Sequence, residues 1–244
     1  MIPVTNYPSD NFNDRPEGVS IKYLIYHYTG GNLEESLYWL TKESPAGKVS
    51  SHYLICEKGE IYAHVPEHKR AWHAGLLSRW EDDAKLNAMS IGIELVNPGM
   101  GPDYRDFTTD QMKSLVELTK DILSRYNISP FHILGHSDIA PDRKVDPGDR
   151  FDWQGLALKG IGVYPDGITI KEESPISELQ QKLKSYGYPI TVTGVLDEQT
   201  SHVIRAFQLH FGYADLATIS AKLDWLLSYR AQSTADQKSL LLSI

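Results

Sequence analysis

The stretch that decides the fold is FHILGHSDIAPDRKVDPGD, residues 131–149. Its first six residues are mostly apolar, end in His136 and read as a short buried strand. From Gly135 to Asp149 no regular helix or strand can run throughout, because Pro141, Pro147 and the flanking Gly135 and Gly148 interrupt either. Asp138, Asp142, Asp146 and Asp149 share this segment with Arg143 and Lys144. A strand running into a stiff, charged loop delivers a His to one rim of a sheet and presents an Asp there. Pro147 restricts the backbone of Asp146, which precedes it.

Working outward, IKYLIYHYT (21–29) is a second buried strand, with His27 near its end and Gly30-Gly31 stopping it. Leu33, Leu37 and Leu40 follow at helical spacing, which predicts a helix over 34–41. Residues 50–55 and 60–65 read as strands joined at Glu57-Lys58-Gly59, and SIGIELVN (90–97) as another buried strand. Residues 66–88 are mostly loop, and residues 1–20 an extended lead-in. FTTDQMKSLVELTKDILSRY (107–126) is the clearest helix, with Thr108 and Gln111 spaced for a capping box. DWQGLALKG (152–160) reads as a short helix. Strands alternating with helices predict an α/β fold with a mostly β central sheet.

Residues 164–175 read as a linker. Beyond it the character changes to three short helices. The first has Ser174 as cap, Pro175 in its first position, Leu179 and Leu183 inward and Gly187 at its end. The second is capped by Asp197 and buries Thr200, Val203, Ile204 and Phe207. The third spans 215–230 around Leu216, Ile219, Leu223 and Leu226, and the last dozen residues receive no assignment. These helix faces are expected to bury one another without help from the first domain.

The 244 residues have ordinary globular composition and a net charge of −8, of which −7 falls in the first 167 residues. That excludes a nucleic-acid reader, whose footprint is basic. A single cysteine, Cys56, excludes an internal disulfide and reads as a small buried residue. No apolar run approaches the roughly 18 residues of a membrane span. No basic segment followed by an apolar run opens the chain, so no signal peptide is visible. The expected location is the cytoplasm, or the cell envelope if a leader has been trimmed.

His27, His136 and Asp146 are residue types that hold zinc, and three protein ligands leave the open position of a catalytic site. A lone strand His is more often a core His, and two rival pairs exist: His64 with His68, and His132 with His136. Each pair is four residues apart, which suits a helix, and neither segment reads as helical. Glu94 stands within the apolar run Ile91-Gly92-Ile93-Glu94-Leu95-Val96. A buried carboxylate must be paired, protonated or near a metal. Lys144, two residues before Asp146, reads on its own as a surface lysine.

Taken in order, IYHYTGG, SSHYLI, AWHAG, SIGIELVN, GHSDIAPDRKVDPG and FDWQ resemble the blocks of the zinc-dependent type 2 N-acetylmuramoyl-L-alanine amidases, over residues 21–160. Within that family the chain is most similar to the two-domain AmiD branch, outer-membrane enzymes that also accept 1,6-anhydro muropeptides. The resemblance implies a central mixed β-sheet flanked by helices and one zinc per chain held by His27, His136 and Asp146. Glu94 falls on the family's catalytic glutamate and Lys144 on its catalytic lysine. The implied substrate is peptidoglycan and its muropeptides, cut at the amide between the lactyl group of N-acetylmuramic acid and L-alanine, with no organic cofactor. Trp72, His73, Asn87 and Arg143 are the substrate-contact candidates, and His52 is read as structural. No oligomeric contact is singled out.

SELQQKLKSYGYPITVTGVLDEQTSHVIRAFQLHFG resembles the three-helix peptidoglycan-binding domain through Leu179-Gln180, Gly187-Tyr188, Gly194, Asp197, Thr200 and Phe207-Gln208. The implied organisation is a zinc amidase domain over 1–167 and a peptidoglycan-binding-like domain over 168–244, with helices at about 174–230. Two rivals remain. A recognition protein that binds peptidoglycan without cutting would be marked by loss of a ligand, of Glu94 or of Lys144, and none is lost. A zinc hydrolase acting on another acyl bond would leave muropeptides intact.

Overall fold

The computed structural model describes residues 4–45, 47–170 and 174–242. Of the linker expected over 164–175, residues 171–173 lie outside the described residues. In chain order come β1 (Val4–Asn6), β2 (Phe12–Asp14), β3 (Tyr23–Tyr28) and α1 (Leu33–Thr41). Next are β4 (Tyr53–Ile55), β5 (Ile61–Ala63), β6 (Lys69–Ala71), β7 (Arg79–Trp80), β8 (Asp83–Ala84) and β9 (Ser90–Leu95). They are followed by α2 (Thr109–Arg125), β10 (Ile133–Gly135), α3 (His136–Ile139) and α4 (Trp153–Ala157). The chain closes with α5 (Ile176–Tyr186), α6 (Glu198–Phe211) and α7 (Leu216–Leu242).

Six strands form one mixed sheet in the order β1-β5-β4-β9-β3-β10. β4 and β5 are the antiparallel hairpin expected around Gly59, while β4, β9, β3 and β10 run parallel. Alternation along the strands sorts the side chains into two layers. Leu24 and Tyr26 of β3, with Ile91, Ile93 and Leu95 of β9, pack on one face against α2. α2 begins at the capping box of Thr108 and Gln111 and buries Leu115, Leu118 and Ile122. The opposite face receives Tyr23 and Ile25 of β3, and by the same alternation His27, Ser90, Gly92 and Glu94.

Three local readings need correction. The last helix does not stop near 230 but continues to Leu242. His136 does not end a strand: β10 stops at Gly135, and His136 is the first residue of a helical turn. The physical reason is Asp138, whose carboxylate accepts from the Gly135 N–H at 2.7 Å and turns the chain there. Ser174 does not cap α5 either. Pro175 occupies the cap position, with no side-chain cap bond, and the Ser174 hydroxyl donates to Glu178 instead. Gly187 does end α5, and Asp197 caps α6 by accepting from the Thr200 N–H.

The three C-terminal helices do not bury their faces only against one another. One apolar cluster joins Leu183, Tyr186, Tyr188, Phe207 and Leu223 to Tyr23, Ile25, Trp80 and Ile139 of the first region. Trp80 is fully buried and meets Tyr186 and Tyr188 edge-on at 5.7 and 4.9 Å. Gly187 lies at φ 141°, and a Cβ there would sit 2.5 Å from the Trp80 ring, so this seam requires glycine. The helix-rich C-terminal part is therefore a third layer on the sheet face that carries His27 and Glu94.

Candidate active site

Parallel pairing brings the site together. His27 lies opposite Glu94 in the β3–β9 register, and Gly135 lies opposite Tyr26, so His136 follows beside His27. The residues therefore gather outside the carboxyl ends of three adjacent parallel strands, the usual place for a site in such sheets. The loop after α3 then folds back. Lys144 N–H donates to Ala140 O at 3.0 Å, and Ser137 N–H donates to Asp146 O at 2.9 Å, which returns Asp146 to His136.

Three heteroatoms converge there. His27 Nδ1 is 3.1 Å from His136 Nδ1 and 3.0 Å from Asp146 Oδ2, and the latter two are 3.2 Å apart. Three vertices of a tetrahedron around an ion with ~2.0–2.1 Å bonds are separated by about 3.3 Å. All three residues are buried. The tautomers follow from the network. Ser90 Oγ donates to Leu86 O, so it accepts from His73 Nε2–H at 3.0 Å. His73 Nδ1 then accepts from His27 Nε2–H at 3.0 Å, and His27 Nδ1 keeps its lone pair toward the site. A buried lone pair facing a carboxylate oxygen is a liability that a bound cation resolves. Among the described residues these three form a cluster suited to holding a metal ion.

Electrostatics agree with that role. Burial pushes the Asp146 carboxyl up, while positive charge on the neighbouring rings, His136 first and then His27, outweighs it and holds the group well below the carboxylate range; with His27 neutral in the tautomer above, a bound cation would supply that charge instead. Burial likewise pushes Glu94 up, to about 7, with Asp146 adding to the rise and His27 and Lys144 opposing it. Its Oε2 is buried without a hydrogen-bond partner. Glu94, Lys144 and the three converging residues all line one cleft of about 440 Å³.

Three of the four substrate-contact candidates line that cleft: Trp72, His73 and Arg143. Trp72 Nε1 donates to Asn13 Oδ1, and Arg143 donates to Ser78 Oγ at 2.8 Å. His73 spends both ring nitrogens inside the protein, on His27 and Ser90, and so holds the orientation of a site residue. Asn87 is outside the cleft. Its side chain accepts from the His73 and Ala74 N–H groups and donates to Gly75 O, pinning the loop that carries His73. His52 is structural as expected, accepting from Gly92 N–H at 3.0 Å.

Sequence reasoning missed Arg15, within the supposed lead-in. Its guanidinium reaches four backbone carbonyls, of Glu67, Asn87, Ala88 and Ser90, and ties the loop 67–90 to the start of β9. Nothing periodic marks it. Trp39 of α1, also missed, lines the cleft.

Paired imidazoles and a carboxylate with a glutamate beside them at one sheet rim form a cluster that could hold a metal ion. The family model for N-acetylmuramoyl-L-alanine amidase matches residues 17–149, and that for a putative peptidoglycan binding domain matches residues 172–215. The chain is 40% identical over 212 residues to N-acetylmuramoyl-L-alanine amidase AmiD of Escherichia coli K12, covering 78% of this chain and 75% of that protein. The E. coli AmiD structure in complex with anhydro-N-acetylmuramic acid-L-Ala-D-gamma-Glu-L-Lys superposes with a TM-score of 0.77 at 34% identity, over 91% of this chain and 98% of that one. Pseudomonas aeruginosa AmpDh3 in complex with anhydromuramic pentapeptide gives a TM-score of 0.77 at 33% identity, over 86% and 92%. The chain belongs to the N-acetylmuramoyl-L-alanine amidase family, with the type 2 amidase fold and a C-terminal helical region of the peptidoglycan-binding type.

Proposed function

We propose that the protein is a zinc amidase that hydrolyses the bond between N-acetylmuramic acid, 1,6-anhydro forms included, and L-alanine, in cell-wall turnover within the envelope. The observation that carries the reading is the 3.0–3.2 Å triangle of His27 Nδ1, His136 Nδ1 and Asp146 Oδ2 beside Glu94. One zinc held by these atoms would supply Lewis acidity and lower the pKa of a bound water. Glu94, whose Oε2 is buried on the same cleft without a hydrogen-bond partner, takes the proton of the attacking water and returns it to the departing alanine nitrogen. Lys144, on the same cleft wall, supplies positive charge to the oxyanion of the tetrahedral intermediate. Trp72 and Arg143 form the wall against which sugar or stem peptide packs. Among the described residues no helix is long and apolar enough to cross a membrane.

The test is incubation with purified anhydro-muropeptides, with products separated by mass. Release of free stem peptide is expected, with one zinc per chain by elemental analysis and its loss in His136→Ala. Binding without release would establish a recognition protein instead. Full zinc occupancy in His136→Ala would remove the metal assignment.

A further inference from the structure

The buried carboxylate of Asp138 lies two residues beyond His136 and is wholly inaccessible to solvent. It has three donors. One is local: the Gly135 N–H, which fixes the turn that starts at His136. The other two come from the C-terminal region. Tyr188 OH donates to Oδ1 at 2.6 Å, and His210 Nδ1 lies 2.8 Å from Oδ2. A carboxylate only accepts, so His210 Nδ1 carries the proton. His210 is itself held flat against Trp153, with ring centroids 3.7 Å apart and planes at 16°. Arg205, on the same helix as His210, donates to Pro141 O at 3.0 Å and grips the far side of the turn.

Residues of a domain that resembles a wall-binding module thus hold both ends of the segment that presents His136. A tether would need no such contact, since raising local substrate concentration leaves the chemistry untouched. We propose that Tyr188 and His210 are positioning residues for the amidase site, acting through Asp138 on the turn that carries His136, so that the C-terminal domain is a structural part of the catalytic unit. The proposal rests on His136 being a metal ligand. Outer groups that orient a ligand are worth about 10–100-fold in metal affinity or activity when removed. Their effects are non-additive where they share one target.

The experiment uses the full chain with Tyr188→Phe, His210→Ala, the double variant and His210→Asn, which keeps a donor at nearly the same place. Zinc retention is read by competition with a chelator, and kcat and KM are measured on a small soluble muropeptide that needs no wall tethering. Tyr188 and His210 act one contact further out than a ligand's own partner, so the expected results are zinc affinity weakened up to about 10-fold in Tyr188→Phe and His210→Ala, a matching fall in kcat with little change in KM, and a double variant no worse than the sum of its parts. His210→Asn should recover most of the loss. If His210→Ala fails to fold by circular dichroism, Tyr188→Phe, which removes one oxygen atom, carries the test. Wild-type zinc affinity and kcat in folded Tyr188→Phe would overturn the proposal. Wild-type protein that neither holds zinc nor releases stem peptide would instead overturn the functional reading beneath it.

Discussion

Gly92→Ala tests the site from the sheet side. Gly92 lies on β9 two residues before Glu94, and the His73 ring rests on its bare Cα. A Cβ at position 92 would lie 2.5 Å from His73 Nδ1 and 2.7 Å from Cδ2, where ordinary contacts begin at 3.4 Å. The strand is locked between β4 and β3, so the ring must move, by about 1 Å. That displaces His73 Nδ1 from its 3.0 Å bond with His27 Nε2, lengthening the bond by up to about 1 Å and bending it out of line. His27 then loses the partner that fixes its tautomer and ring angle. The expected loss in zinc affinity is about 10–100-fold, equivalent to about 1.4–2.7 kcal/mol, with about 1–3 kcal/mol of stability lost to overpacking. Chelator competition measures the first and denaturant titration the second. His73→Ala should weaken zinc similarly, and the double variant should be little worse than either single one. A folded Gly92→Ala protein with wild-type zinc affinity, or effects that add in the double variant, would refute this account of why glycine stands there.

Three further outcomes are expected. Glu94→Gln keeps zinc and fold while kcat falls roughly 10²–10⁴-fold, the range for a general base; near-normal turnover would make Glu94 structural. His52 is pushed from 6.5 down to about 3 by burial, with the Arg15 charge in the same direction. Its neutral form is favoured by folding, so this stability is present above pH 6.5 and lost as pH falls toward about 3. Between pH 7 and 5 the loss is about 2 kcal/mol, and His52→Asn should show a visibly smaller drop in denaturation midpoint over that interval. Truncation after residue 167 uncovers Trp80, whose ring packs on Tyr186 and Tyr188. At ~150–250 Å² of aromatic surface and ~25 cal/mol/Å² the cost is on the order of 4–6 kcal/mol, so the fragment should melt far below the full chain. Equal melting temperatures would show that the shared cluster contributes little.

Much was legible in the chain alone because its signals are local. The apolar run of SIGIELVN, the capping box at Thr108 and the prolines of 141–147 each act within a few residues, and they placed β9, α2 and the site loop correctly. The family blocks then named His27, His136, Asp146, Glu94 and Lys144, and the parallel register together with the loop that folds back after α3 puts all five around one cleft. What the chain could not show was which partners distant polar groups would find. Nothing in the sequence around His73 showed that its ring would rest on Gly92 and bond to His27. Arg15 looked like part of a lead-in, yet its carbonyl partners lie 52 to 75 residues away. Asp138 could be read as one more charge in a loop, and only docking of α6 supplies His210, 72 residues later. Periodicity and turn chemistry are written in neighbouring residues. A buried polar group is satisfied by whatever packing brings within 3 Å, and tertiary structure alone decides that.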